Sequence, residues 1–568
     1  MTKVIYNGRI CLPGKKFCEA LMLDKGRIIK TGSSRDLLEE APGNAEKTDA
    51  GGALILPAFH DSHLHLMWIG RREGGIECAG AKSVTEVISR GRETIARLKP
   101  APGSYIQGAG VNPDLFCEGE KRDLRREDVD KISTEYPILL SRHCGHTIYC
   151  NSLALKFAGL SESAPEVEGG TIEKDESGKP TGVLRENANV LVRKPMPAYT
   201  REDIKGFLRL AMKKAHSLGI SSCGSYDSGG PDFENVLAAY KSLYDESREA
   251  GVPCLRVTMQ CGVSAREDML DAHLYRRIPS GAILWEDPYR GIFLKMGAIK
   301  LFADGTLGGH TAWMRQPYRD KAETCSPAET HSPAEGKPGP DMLRCGFPVL
   351  DQTALDRFVQ KSAAGARQVL IHAIGDAGID SSLKAFEKVT GPGKNPLRHG
   401  IIHCQITTPD LFERMARNGI LALVQPIFLA DDLPIIESRV GPRLASTSYA
   451  WNTLHKLGIP VSYSSDAPVS KPDPLLNIEW AVLRRDSENP SSASFYPNEK
   501  VDIHTAVDAY TSSSVFSNFA DDTLGRLEPG RYADLVFLDR DIFTIPPEEI
   551  HKARVLRTMC AGETVYSV

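Results

Sequence analysis

The sequence has no Cys-x-x-Cys pair, although it carries 13 cysteines. An odd, scattered set excludes a disulfide framework and fits free thiols in a reducing cytoplasm, the expected location. No apolar run is long enough to span a bilayer, and Met1-Thr2-Lys3-Val4-Ile5-Tyr6-Asn7-Gly8 lacks the apolar core of a signal peptide. There is no basic run, and the formal net charge is -4. Nucleic acid and anionic membrane are thereby excluded as expected partners, which leaves a small molecule. A homodimer is the expected assembly, being the commonest one. What is present is ordinary for a soluble protein: 41% hydrophobic and 25% charged residues. At 568 residues the chain exceeds one small core, so two or more domains are expected.

The stretch Leu54-Ile55-Leu56-Pro57-Ala58-Phe59-His60-Asp61-Ser62-His63-Leu64-His65 reads as one apolar strand ending in His-x-His. Side chains at i and i+2 of a strand share a side, so His63 and His65 can reach one point. Neutral imidazoles held as a pair suit zinc and similar metals. Before this stretch, residues 1 to 56 read as small antiparallel strands, with hairpin turns at Asn7-Gly8 and at Asp24-Lys25-Gly26. A similar piece returns at Ala533-Asp534-Leu535-Val536-Phe537-Leu538 and from Val555 to Val565. Neither end has enough strands to stand alone, so the two are expected to meet in one β domain.

Between the ends, helices and strands alternate. Helical stretches are expected over Ser83 to Leu98, from Asn151-Ser152 onward, and over Glu202 to Leu218. Strands are expected at 137–140, 220–223, 298–302, 368–371, 400–402, 421–424 and 461–464. Repeated strand–helix units imply a parallel sheet, and eight close into a (β/α)8 barrel whose chemistry sits at the strands' C-terminal ends. Ser326 to Pro340 is a Pro/Ser/Glu/Gly-rich loop, either a lid or a surface excursion. Chemistry-bearing residues fall at the strand ends: His63 and His65, Lys300, His372, His403 and Asp466. In a barrel these six converge on one mouth as a metal constellation.

These segments resemble the amidohydrolase superfamily, and within it amidohydrolase family 3, the N-substituted formamide deformylase-like branch. The resemblance rests on residues 56–65, Gly145-His146, Asn151-Ser152-Leu153-Ala154-Leu155, Gly169-Gly170-Thr171-Ile172 and 180–186. It continues through 299–305, 371–376, Ile402-His403-Cys404-Gln405, Ser465-Asp466-Ala467-Pro468-Val469 and Gly530-Arg531-Tyr532-Ala533-Asp534-Leu535. It implies a (β/α)8 TIM barrel over 57–509 with an insertion at about 70–200. A composite β-sandwich from 1–56 and 510–568 would accompany it. The chain departs from the family pattern at Ala58, His60, Cys144 and Ile402, outside the ligand set.

The implied activity is hydrolysis of a non-peptide carbon–nitrogen bond in an amide, N-formyl or N-acyl amine. A metal-activated hydroxide would attack the carbonyl. Two divalent ions, zinc being the expected metal, would be held by His63, His65, Lys300 and Asp466 on one side. His372, His403 and Lys300 would hold the other. Lys300 must shed its proton to ligate, and carboxylation would turn it into a bridging carbamate. The alternatives are a lysine paired with Asp304, or Glu186 as the bridging ligand. Asp466 would carry the proton to the leaving nitrogen. His146 would hold substrate or oxyanion, or be a plain loop histidine. Asp304, Thr311, Trp313 and Arg443 are candidate substrate contacts, with Trp313 equally a packing residue and Arg443 equally an ion-pair partner. Competing readings are a one-metal deaminase or cyclic-amide hydrolase, and a non-catalytic ligand-binding or regulatory barrel.

Overall fold

Eight strands form one parallel run, each pairing with the next in space. They are β1 (Phe59–Leu64), β2 (Ile220–Ser228), β3 (Arg256–Gly262), β4 (Gly291–Phe302), β5 (Val369–Ala373), β6 (Gly400–His403), β7 (Leu421–Val424) and β8 (Val461–Tyr463). The computed structural model describes residues 2–142, 146–160, 165–167, 170–228, 232–262, 278–321, 344–489 and 491–568. The stretch 326–340 lies outside these. The run nearly closes. Ser62 Oγ donates to the Tyr463 carbonyl at 2.9 Å, Asp466 N to the His63 carbonyl at 3.0 Å, and His65 N to the Ala467 carbonyl at 2.8 Å. Strands such as β5, β6 and β7 are buried throughout, which is why they read as apolar runs. Ile402, where the family more often has Glu, is buried against Ala298, Leu370, Leu421 and Leu423.

Two compact units divide the chain: Met1–Leu66 with Met212–Val568, and Met67–Ala211. The second has its own six-stranded sheet, in the order Gly170–Lys174, Pro180–Glu186, Thr147–Cys150, Ile138–Arg142, Ile106–Val111, Ile76–Glu77. Helix Val84–Leu98 packs within it and is capped by Ser83, whose side chain accepts from Glu86 N. The expected strand near 137–140 belongs here, not to the parallel run.

Several expectations about the first unit are corrected. The stretch 54–65 is two strands, not one. Leu54–Pro57 lies in another sheet, between Arg9–Leu12 and Leu535–Leu538, and the chain switches sheets at Ala58. Asn7-Gly8 does not close a hairpin: Lys3–Tyr6 pairs with Ala20–Asp24 and Glu46–Asp49, Arg9–Leu12 with Lys16–Cys18 and Leu54–Pro57. Two of those pairings are parallel. A helix, Ser34–Glu40, sits where only strands were expected; Ser33 caps it and Leu37 anchors it. The turn at Asp24-Lys25-Gly26 does join an antiparallel pair. Strands from both chain ends share one sheet, and Ile10, Ile55, Leu535, Phe537 and Met559 share one apolar core.

A buried ion pair ties this sheet to the parallel run. Arg256, opening β3, donates to Asp534 through Nε at 2.9 Å and Nη2 at 3.2 Å, and to the Ile292 carbonyl at 2.6 Å. Asp534 also accepts from Ala561 N at 2.8 Å. Removing one partner strands a buried charge. Asp534→Ala is expected to lower stability by about 3–5 kcal/mol, read as an earlier urea-unfolding transition.

Candidate metal centre

β1 ends with His63 inside the strand and His65 just beyond it, two residues apart and therefore on one side. Asp466 follows β8, the neighbouring strand in the ring. Its Oδ1 lies 3.1 Å from His65 Nε2 and 3.4 Å from His63 Nε2. The candidate ligand atoms of these three residues all lie within 4.8 Å of one another. Asp61 holds the corner. Its buried carboxylate accepts from Ser465 N at 3.0 Å and from His63 N at 3.2 Å, locking β1 to the loop that carries Asp466. Asp466 and His403 are non-glycine residues at positive φ, 53° and 79°. Such backbone costs about 1–3 kcal/mol each and persists where surrounding structure imposes it.

Hydrogen bonds behind the imidazoles decide what their other nitrogens present. His63 Nδ1 is 2.7 Å from Gln260 Oε1, His65 Nδ1 2.8 Å from the Tyr226 carbonyl, and His403 Nδ1 2.8 Å from Gln425 Oε1. Each partner is an acceptor, so each Nδ1 carries the proton and each Nε2 offers a lone pair. His372 is the reverse: Nε2 donates to the Gly305 carbonyl at 2.9 Å, leaving Nδ1 free. With both imidazoles neutral, His63 Nε2, His65 Nε2 and Asp466 Oδ1 converge as three lone-pair atoms; with a proton on Nε2, His65 donates to Asp466 Oδ1 at 3.1 Å. Either a proton or a metal ion relieves the repulsion among them, and the three atoms lie close enough to share one metal ion. The donor set therefore fits a metal ion.

His372 and His403, on adjacent strands, stand beside this group with ring centroids 4.4 Å apart. Burial, with a smaller contribution from Lys300, lowers His63 to about 4 and His372 to about 3. His403 is lowered well below its ordinary value by burial and then by His372. Lys300 belongs to the same neighbourhood. Its Nζ is buried without a hydrogen-bond partner, 4.6 Å from the Phe302 ring centroid, and burial pushes the ammonium down to about 7.

The pairing of Lys300 with Asp304 is not found. Asp304 instead accepts from the backbone amides of Trp313 at 2.9 Å, Ile374 at 3.0 Å and Gly375 at 2.8 Å. It joins the loop after β4 to the loop after β5. A Cβ on Gly378 would come 2.6 Å from its Oδ2, so glycine there allows helix Asp376–Phe386 to approach. Trp313 is half-buried, and its carbonyl accepts from Ala377 and Gly378. Thr311 Oγ1 accepts from Thr306 N at 2.9 Å. Arg443 is exposed on helix Ile436–Ala445. His146 and Glu186 belong to the second unit, where Nδ1 and Oε2 lie 3.0 Å apart. Cys144 lies outside the described residues.

The structure adds Gln260, Gln425 and Asp61, which sequence reasoning passed over. Gln425 directly follows β7, the same signal that marked His403 on β6. Gln260 sits on β3, whose Arg-Val-Thr-Met-Gln-Cys-Gly sequence mixes polar with apolar residues and hides the strand.

The family model for the amidohydrolase family matches residues 46–566. The chain belongs to the amidohydrolase family. It is 31% identical over 552 residues to YtcJ of Bacillus subtilis, covering 96% of each chain. It is 26% identical over 556 residues to the N-substituted formamide deformylase of Arthrobacter pascens, covering 96% of this chain and 95% of that one. An uncharacterised metal-dependent hydrolase of Pyrococcus furiosus superposes with a TM-score of 0.73 at 27% identity, over 96% of this chain and all of that one. Family membership makes the protein a hydrolase with an α/β barrel fold, and His63, His65 and Asp466 form a group able to hold a metal ion. Among the described residues no helix is long and apolar enough to cross a membrane.

Protons compete with a metal for an imidazole only near that imidazole's pKa. With His63 lowered to about 4 and His372 to about 3, the competition moves to lower pH. Zinc uptake, followed by chelator competition, is expected to fall first as pH drops through about 7, where Lys300 gains its proton, and to be lost by the time pH nears 4, where His63 gains its own.

Proposed function

We propose that this protein is a metal-dependent hydrolase of non-peptide carbon–nitrogen bonds, acting on amides of the N-formyl or N-acyl amine class. The observation that carries the reading is the convergence of His63 Nε2, His65 Nε2 and Asp466 Oδ1 within 4.8 Å of one another, a set able to hold a metal ion. The relative named N-substituted formamide deformylase, matched over nearly its whole length, supports the substrate class.

His63, His65 and Asp466 would hold one divalent ion, and His372 and His403 a second. Lys300, carboxylated by CO₂ with loss of a proton, would be the further anionic ligand, in place of Glu186. The Lys300 amine is buried, orphaned and easily deprotonated, whereas Glu186 is exposed and lies against His146. Bound metal supplies Lewis-acid polarisation of the substrate carbonyl and makes water acidic enough to attack near neutral pH. The remaining steps belong to the chain. Asp466 takes the proton of the attacking water through its carboxylate and delivers it to the leaving nitrogen, so the C–N bond breaks without expelling an amide anion. Asp61 keeps that carboxylate and His63 at a set separation. Asp304 fixes the loops after β4 and β5, and with them the Trp313 turn.

Metal analysis of protein reconstituted with zinc and bicarbonate should find about two equivalents per chain. Lys300→Ala should reduce this to about one or less; a parent value near one favours the one-metal deaminase or cyclic-amide hydrolase, and none favours a non-catalytic barrel. On a panel of N-formyl and N-acyl amines, Asp466→Asn should cost about 10²–10⁴-fold in turnover. Retained turnover rejects Asp466 as proton carrier.

A further inference from the structure

Behind the two halves of the candidate centre stand two glutamines in matching roles. We propose that Gln260 and Gln425 are positioning residues: each sets the tautomer and ring orientation of one ligand histidine, and does so as an uncharged acceptor. The proposal rests on the metal-centre reading above.

Gln260 is on β3 and His63 on β1, with β2 between them. Its Oε1 meets His63 Nδ1 at 2.7 Å while its Nε2 donates to the Ser62 carbonyl at 3.1 Å. Flipping the amide would set its oxygen against that carbonyl, so only one orientation is satisfied. The route across β2 passes Gly224. A Cβ at that position would lie 2.7 Å from Gln260 Nε2 and 2.5 Å from the Ser62 carbonyl oxygen. The missing side chain at Gly224 is therefore what lets the amide reach His63.

Gln425 repeats the device for His403. Its Oε1 is 2.8 Å from Nδ1, and its Nε2 donates to Ser464 Oγ at 2.6 Å and the Leu423 carbonyl at 3.2 Å. Both side chains are buried, and the ligand-facing oxygen of each is satisfied by the imidazole. Gln368, equally buried beside β5, makes a useful contrast. It donates to the Arg398 and Ser517 carbonyls, and its Oε1 has no partner. An amide oxygen accepts the Nδ1 proton without drawing it away, as a carboxylate would tend to do. The imidazoles stay neutral and direct Nε2 inward.

The test measures zinc affinity by chelator competition on folded full-length protein, with near-UV circular dichroism to verify packing. Gln260→Leu and Gln425→Leu should each weaken binding by about 10–100-fold. Gly224→Ala should weaken it in the same sense by displacing the Gln260 amide. Gln260→Glu and Gln425→Glu keep an acceptor for Nδ1 but bring a charge and set a second oxygen against the Ser62 and Leu423 carbonyls. They should therefore bind zinc more tightly than the leucine variants yet short of the parent; affinity no better than the leucine variants' marks a merely structural role. Gln368→Leu should leave affinity unchanged. If the parent binds zinc, and His63→Ala or Asp466→Ala abolishes this, but both leucine variants bind as the parent does, the proposal is overturned alone. If the parent takes up no zinc, the metal-centre reading falls and takes this proposal with it.

Discussion

Everything at the barrel mouth depends on two imidazoles and a carboxylate being forced together. Three ligand-type atoms, one on β1, one just past its end and one from the loop after β8, are held within 4.8 Å of each other. What surrounds them brings these groups together. The Asp61 carboxylate clamps β1 to the β8 loop, and Ser62 and His65 add hydrogen bonds across the same seam. Positive φ at Asp466 shows the backbone bent to aim the carboxylate inward. The closure of the sheet and the construction of the site are thus one set of contacts.

Burial decides the protonation states. Water is excluded from His63, His372, His403 and Lys300, so each is pushed toward its neutral form. The same burial raises Asp61 and Asp304, to about 7 in each case, against the amide donors that hold them. Those two carboxylates serve loops and backbone rather than metal. Their chemistry resembles that of ligands, and only their saturation by N–H donors sets them apart.

Much of the fold was legible because barrel strands covered on both faces leave continuous apolar runs. The runs at 369–373, 400–403, 421–424 and 461–463 stood out, and their terminal His and Asp marked the mouth. The apolar run at 54–57 misled for the same reason. It is buried in a different sheet, and nothing local marks the crossover at Ala58. β3 escaped notice because Thr258 and Gln260 face a polar interior. His60, unusual against the family pattern, sits between Ser222 at 2.8 Å and Asn518 at 2.9 Å, a network that no local pattern announces.

The sequence by itself determined which histidines, lysine and aspartate stand at or near the strand ends as candidate ligands. Residue chemistry and period-two geometry are local properties, readable from a few neighbours. Tertiary structure alone decided which nitrogen of each histidine is free, because that depends on acceptors far away in the chain: Gln260 for His63, Tyr226 for His65, Gly305 for His372. It also decided that Asp304 binds backbone while Lys300 is left unpaired. A buried group's partner is chosen by the folded packing around it, and no spacing in the sequence encodes that choice.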